Sequence, residues 1–203
     1  MYKVFHFLSW VLLSSILVGC QPSQPPQTHA LLYETARPIN PFLLQDQNEK
    51  TVTEKALKGK WTLLFLGYTS CPDICPMTLS KLTQVHKKFN NELLTVWFIS
   101  VDPKRDTAEK RQLYIDYFNR DFKAVSAEHK SLFPFVRNLG LVYAIHDEGN
   151  GENYTVDHSA SVTLVDPNGQ VRAIFKPEFE RGQVPLIDSE KMLDDLHKII
   201  AYY

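Results

Sequence analysis

The feature that most constrains this chain is a buried apolar run that leads into two closely spaced cysteines and then into a helix. Residues 61–66 are almost continuously apolar, which is typical of a strand covered on both faces in a parallel sheet. Residues 67–78 follow with the sequence GYTSCPDICPMT. Pro76 fits the first position of a helix, where its missing N–H costs nothing. The pattern therefore predicts Cys75 just before a helix and Cys71 in the loop between strand and helix.

A cysteine at this kind of junction is chemically activated. The start of a helix offers unpaired backbone N–H groups and the positive end of the helix dipole, and both favour thiolate over thiol. Thiolate is the form that attacks disulfides and binds metals. Three residues separate the two cysteines, and such a loop can close a disulfide or hold both sulfurs around one soft metal ion. We therefore predict a redox or metal role, with a structural disulfide or two inert buried thiols as the alternative.

The remaining chain supplies the other elements of an α/β fold. A loop of sequence DPNG at 166–169 is a strong hairpin signal, and Asp106 or Thr107 is a predicted helix cap. The order βαβα followed by ββα predicts a thioredoxin-like fold. We expect a central mixed sheet flanked by helices, an N-terminal strand extension and an insertion before the C-terminal hairpin. Beyond the first strand, the predicted elements are a helix at 77–89, a strand at 93–101, helices after 107 and at 131–139, strands at 141–145, 161–165 and 171–175, and a helix at 189–202.

The N-terminal residues have the pattern of an exported lipoprotein. An apolar stretch at 5–18 is short for a membrane span but suits a signal peptide, here assigned to residues 1–19. It ends in LVGC at 17–20, which resembles the bacterial lipoprotein box, so that resemblance implies a lipidated Cys20. The alternative is an uncut anchor with an unmodified Cys20. Both interpretations predict an extracytoplasmic, membrane-anchored protein, on the periplasmic side in a Gram-negative host.

The segment after the signal peptide reads as a tether. Residues 20–34 are polar and proline-rich in their first half, and residues 35–203 are predicted to form the folded domain. The formal net charge is −1, without a long block of one sign, so nucleic acid is not an expected partner and polybasic membrane binding is not indicated. If Cys20 carries lipid, the remaining two cysteines have only each other or a metal as partner.

A histidine before the predicted hairpin completes the candidate site. In a thioredoxin-like fold the segment before this hairpin lies against the cysteine loop, which would bring His158 to the two sulfurs. Two thiolates and an imidazole suit Cu(I) or Cu(II), and zinc could use the same ligands with water. Asp157 is a candidate for orienting the imidazole, with a solvated loop acid as the alternative. Met77 and His146 are weaker ligand candidates, and the other histidines are expected at the surface or at helix ends: His29, His86, His129 and His197.

Four segments together resemble a known family. They are 67–76 (GYTSCPDICP), 100–107 (SVDPKRDT), 156–159 (VDHS) and 166–169 (DPNG). In this order they resemble the Sco/SenC family, thioredoxin-like copper chaperones for cytochrome c oxidase assembly, over roughly residues 35–203. The resemblance implies that Cys71, Cys75 and His158 bind one copper ion. It also implies a copper-accepting oxidase subunit, with its dinuclear copper centre, or another cuproprotein as partner.

Other functions remain open from the sequence. The principal alternative is an enzyme, a thiol–disulfide oxidoreductase that reduces a client protein with Cys71 and Cys75 as its redox pair and has no need of His158. A peroxidase is disfavoured, because Pro72 and the close second cysteine do not suit a peroxide pocket. A redox-signalling binding module is a third class.

Overall fold

The computed structural model describes residues 24–89, 92–147 and 154–203. The predicted signal peptide and Cys20 lie outside these residues. Four α-helices are described, α1 (Ile74–Lys88), α2 (Ala108–Phe118), α3 (His129–Asn138) and α4 (Ser189–Tyr202), with a short 3₁₀ turn at Glu54–Leu57. The strands are β1 (Leu31–Pro38), β2 (Leu44–Asp46), β3 (Thr51–Val52), β4 (Trp61–Gly67), β5 (Leu94–Ser100), β6 (Lys123–Ser126), β7 (Tyr143–Asp147), β8 (Tyr154–His158), β9 (Val162–Val165) and β10 (Gln170–Phe175).

Eight strands form one mixed sheet, as predicted. Their order is β1-β10-β9-β4-β5-β6-β2-β3, with β4, β5 and β6 parallel and β9 antiparallel to β4. The predicted C-terminal hairpin is β9–β10. The predicted insertion before it is a separate two-stranded sheet, β7–β8, whose last residue is His158. The thioredoxin-like fold predicted from element order is thereby confirmed.

The central strand β4 is buried along its whole length. Because side chains alternate along a strand, Leu63 and Phe65 face one core and Leu64 and Leu66 face the other. The first core includes apolar residues of α1, α2 and α4, and the second includes residues of α3. This two-sided burial explains the nearly continuous apolar run in the sequence. It also holds β4 in place, so that the strand ends close to the start of α1.

The folded domain starts earlier than the predicted boundary at residue 35. Strand β1 begins at Leu31 and pairs with β10. Just before it, the backbone N–H groups of His29 and Ala30 donate to the buried Asp195 carboxylate at 3.1 and 2.8 Å. Residues 29–34 are therefore part of the domain, although they fall in the segment predicted as tether. Among the described residues, no helix has the length and apolar character needed to cross a membrane.

The predicted cap of α2 is confirmed at Thr107, and two other polar side chains are buried. Thr107 caps α2 by accepting a hydrogen bond from the Lys110 N–H at 3.2 Å, whereas Asp106 is fully buried. His86, predicted at the surface or at a helix end, lies in the last turn of α1, where it is buried edge-on to Phe122 with ring centroids 5.1 Å apart. It follows the buried Leu82 by four residues, so it lies on the inward face of α1. Burial lowers the pKa of His86, which favours its neutral form.

Candidate metal centre

The structure brings Cys71, Cys75 and His158 together. One ligand atom from each lies within 4.8 Å of the other two. Both cysteines are free thiols and buried, with Cys75 fully enclosed and Cys71 retaining 9% exposure. Cys75 falls in the first turn of α1 rather than just before it, and Pro76 is still among the first residues, whose N–H groups have no helical partner. Three elements thus converge: the loop after β4, the start of α1 that follows it, and the distant end of β8.

The histidine ring is oriented for coordination by its Nε2 atom. His158 Nδ1 lies 3.1 Å from the Ser159 carbonyl, which can only accept, so Nδ1 carries the proton in this contact. The neutral ring then presents a lone pair at Nε2, which lies 3.2 Å from Cys75 Sγ. The rings of Phe65 and Tyr68 meet the imidazole edge-on, each with centroids 6.0 Å away. Carbonyl and rings together fix which nitrogen faces the sulfurs.

The two thiols differ in acidity. A hydrogen bond from Cys75 lowers the pKa of Cys71 to about 4 despite burial, with further contributions from the backbone N–H groups of Cys75 and Asp73. The same hydrogen bond, together with burial, raises the pKa of Cys75. The reduced pair therefore holds a thiolate at Cys71 and a proton at Cys75. Burial and the two cysteines raise the pKa of Tyr68 to about 12, so its hydroxyl stays protonated beside Cys71.

This asymmetry predicts the order of alkylation. In the reduced, metal-free protein, iodoacetamide should modify Cys71 before Cys75, and the Cys71 rate should be nearly constant from pH 8 to pH 6. The reason is that a thiol with a pKa of about 4 is already ionised throughout this range. Peptide mass spectrometry of samples quenched over time measures both rates. A Cys71 rate that falls about tenfold for each pH unit would show an ordinary thiol and contradict the assignment.

Gly67 leaves the space that the site occupies. A Cβ atom at this position would lie 2.6 Å from a ring carbon of Phe98 and 2.9 Å from Cys75 Sγ. Both distances are shorter than van der Waals contact, and the Phe98 ring is fully buried. The glycine at the start of the cysteine motif is therefore required by the close approach of the sulfur to the end of β4.

A buried carboxylate holds the cysteine loop in place. Asp106 accepts hydrogen bonds from the Thr69 N–H at 2.9 Å, from the Thr69 hydroxyl at 2.6 Å and from the Ser100 hydroxyl at 2.6 Å. It thereby ties the loop between β4 and α1 to the end of β5. The sequence interpretation offered Asp106 only as one of two candidate helix caps. Its role had one signal, its place within the SVDPKRDT segment that contributed to the family resemblance.

The remaining candidates lie outside the three-ligand cluster. Asp157 points away from its neighbour His158, since adjacent side chains of a strand face opposite sides, and its carboxylate lies 2.9 Å from His146 Nε2. The Ser159 carbonyl, which the sequence interpretation missed, makes the contact proposed for Asp157. Met77 is 44% exposed and lines a surface groove with Tyr117 and Leu186.

The chain is similar to known proteins in both sequence and fold. A model of the SCO1/SenC family matches residues 32–194. A SCO2-like protein of Rickettsia prowazekii is 31% identical over 179 residues, which cover 81% of this chain and 87% of that protein. Arabidopsis thaliana ScoI, solved with copper bound, has a TM-score of 0.69 and 31% identity. The match covers 81% of this chain and 98% of the Arabidopsis chain. Yeast Sco1 with copper bound has a TM-score of 0.71 and 26% identity, and the match covers 82% of this chain and 90% of the yeast chain.

Proposed function

Since this chain belongs to the SCO1/SenC family, we propose that it is a copper carrier that uses Cys71, Cys75 and His158 as its ligands. The observation that carries the proposal is the convergence of two sulfurs and one imidazole nitrogen within 4.8 Å, although His158 lies 83 residues after Cys75 in the chain. A pair of cysteines alone would serve a dithiol enzyme. The third group, with its lone pair facing the sulfurs, is not required for thiol exchange but completes a site for a soft cation.

Copper is the cation that best fits this donor set. Thiolate ligands select Cu(I), and an imidazole helps to retain Cu(II), so the same three atoms can hold either oxidation state. Zinc sites of comparable type need a fourth ligand, which here would have to be water or a residue outside the cluster. Copper bound to relatives of this chain supports the same choice.

The chain's own residues provide for both loading and release. Cys71 is already a thiolate, so uptake requires the loss of only one proton, from Cys75, whose pKa falls when a cation binds. Cys71 keeps some exposure, whereas Cys75 is enclosed. An acceptor that brings its own ligands would therefore meet Cys71 first and take over the ion by stepwise ligand exchange.

The location and the acceptor are part of the proposal. We infer that the chain is anchored to a membrane through lipid on Cys20, outside the cytoplasm, and that the folded domain begins where the backbone of residues 29 and 30 meets Asp195. The acceptor would be the oxidase subunit with the dinuclear copper centre, or another cuproprotein. Family membership supports this assignment.

The thiol–disulfide oxidoreductase remains the second candidate, favoured by one observation. The depressed pKa of Cys71 resembles that of an attacking thiol near a helix start. In that reaction the Cys71 thiolate attacks a client disulfide and Cys75 then displaces the reduced client, leaving the Cys71–Cys75 disulfide. Copper would inhibit this activity, and replacement of His158 would leave it intact.

Copper titration of the reduced and the oxidised chain tests the proposal. We expect the reduced protein to bind one equivalent of Cu(I) or Cu(II), with a sulfur-to-copper charge-transfer absorption for Cu(II). The disulfide form should bind neither ion at this site, since its sulfurs are no longer thiolate. Metal content after desalting and absorption spectra measure both. Equal retention by the two forms would place copper elsewhere and defeat the proposed function.

A further inference from the structure

In the part of the chain that the structure describes, the hairpin that carries His158 has no backbone pairing to the main sheet. Strands β7 and β8 form a sheet of their own among the described residues, and the Ser159 N–H, which donates to the Val142 carbonyl at 2.9 Å, joins residues of the same insertion. Tyr143 and Val156 bury their side chains in the core under the main sheet. Apolar contacts of this kind hold a hairpin to a surface but leave its angle weakly defined, because they are not directional. At one end of the hairpin the Tyr143 hydroxyl, on the residue paired with His158, lies 2.9 Å from His129 Nδ1 of α3. The other end of β8 needs a directional contact of its own if the angle of the strand that carries His158 is to be fixed.

Arg105 supplies that contact at the opposite end of β8. Its Nη1 donates to the Tyr154 carbonyl at 3.2 Å, and its guanidinium lies over the Tyr154 ring, 3.9 Å from the centroid. Its Nε also pairs with the carboxylate of Asp102, which is 1% exposed. The Tyr154 hydroxyl donates to the other oxygen of the same carboxylate. The three residues form a closed bracket between the segment after β5 and the first residue of β8.

The same guanidinium also reaches the cysteine side of the site. It lies 5.7 Å from the centroid of the Tyr68 ring, and that ring meets the His158 imidazole edge-on. Arg105 therefore touches the strand that carries His158 and one of the two rings that flank the imidazole. Tyr154 and His158 lie four residues apart, or about 13 Å along an extended strand, so a change in strand angle at Tyr154 moves the imidazole.

We propose that Arg105, bracketed by Asp102 and Tyr154, is a positioning residue that sets the place of His158 over the cysteine pair. It does not contact the copper site itself. The inference rests on the proposed function, since it assigns Arg105 an effect on the histidine ligand of that site. Loss of the bracket should weaken the contribution of His158 and leave the two sulfurs in place. The affinity for Cu(II), which depends on the imidazole, should therefore fall more than the affinity for Cu(I), which depends on the thiolates.

The test uses Arg105→Met, which keeps the apolar stem and removes the guanidinium. Replacing a residue that orients a metal ligand typically costs 10- to 100-fold in affinity, and we expect Cu(II) affinity to fall about 10-fold here. Cu(I) affinity should change by less than about threefold, because thiolates dominate the binding of this ion. Arg105→Lys should not restore Cu(II) affinity, since an ammonium cannot bond Asp102 and the Tyr154 carbonyl as a planar fork. The exposed Arg120 gives a matched control, Arg120→Met, which should behave as the wild type.

A double-mutant cycle separates positioning from general structural support. In a His158→Ala background, Arg105→Met should alter Cu(II) affinity by less than about twofold, because its effect passes through the imidazole. NMR spectra of the metal-free protein give a copper-independent readout, in which the His158 ring signals should shift in Arg105→Met and stay in place in Arg120→Met. An unchanged ring signal, or an equal loss of Cu(II) affinity with and without His158, would overturn the inference.

A milder variant covers the case in which Arg105→Met does not fold. Tyr154→Phe keeps the ring under the guanidinium and removes only the hydroxyl bond to Asp102, so it should shift the His158 signals in the same direction to a smaller extent. Wild-type signals in Tyr154→Phe would contradict the bracket. Failure of the wild type to bind copper at all would instead defeat the proposed function, whereas the metal-free NMR comparison would still decide the role of Arg105.

Discussion

Cys75→Ser is expected to abolish stable copper binding. Cys75 Sγ is the fully enclosed donor, lying 3.2 Å from His158 Nε2 and within 4.8 Å of the Cys71 sulfur. A serine hydroxyl stays protonated near neutral pH and is a poor ligand for a soft cation. The remaining thiolate and imidazole would form a two-ligand site, for which we expect Cu(I) affinity to fall on the order of 1,000-fold, or about 4 kcal/mol.

The fold should survive this substitution. Serine is smaller than cysteine, and His158 Nε2 remains available to accept from its hydroxyl, so the buried polar group keeps a partner. The free energy of unfolding of the metal-free protein should therefore drop by about 1–2 kcal/mol at most, which denaturant titration can measure. Competition with a Cu(I) chelator measures the affinity.

Matched cysteine variants sharpen the test. Cys71→Ser should show a comparable loss of affinity, because it too leaves one thiolate. Cys20→Ser removes a thiol that belongs to the predicted lipid attachment, so it should leave copper affinity at the wild-type value. A Cys75→Ser protein that still holds Cu(I) in the presence of the chelator would mean that the ion is bound at another place.

Much of this site could be predicted because its sequence signals are local. The apolar run into Gly67, the two cysteines and the helix start lie within one stretch, and their burial follows from strand alternation and helix geometry. His158 required one further step, the expectation that the segment before the β9–β10 hairpin returns to the cysteine loop. That step depends on fold topology, and it was correct because β9 pairs directly with β4.

The residues that sequence reasoning misjudged are those whose partners are distant along the chain. Asp106 stands before a helix and so reads as a cap, but it is buried against Thr69, 37 residues earlier. His86 was predicted at the surface or at a helix end, since the sequence around it gives no sign of the Phe122 ring that covers it. Strand β1 begins at Leu31, before the predicted domain boundary at residue 35, because its sequence lacks clear alternation and its partner strand β10 lies far along the chain.

His158→Ala is the prediction that separates a copper carrier from a dithiol enzyme. The structure gives the imidazole a fixed tautomer and places Nε2 at the sulfurs, so its removal should cost Cu(II) affinity about 100-fold or more, at least as much as the loss of a residue that merely orients a ligand. Cu(I) affinity should fall less, by about tenfold, because both thiolates remain. Chelator competition in each oxidation state measures the two values.

Under the alternative function, the same variant is expected to keep its activity. A thiol–disulfide oxidoreductase needs the Cys71 thiolate, which the Cys75 hydrogen bond stabilises, so His158→Ala should retain most of the rate of client reduction. The alanine leaves a small space beside Phe65 and Tyr68, and denaturant titration shows whether the fold tolerates it. His146→Ala is the matched control, because that ring pairs with Asp157 outside the site and its loss should leave copper affinity unchanged. Equal Cu(II) affinity in His158→Ala and wild type, with full reductase activity in both, would make the dithiol enzyme the better description of this chain.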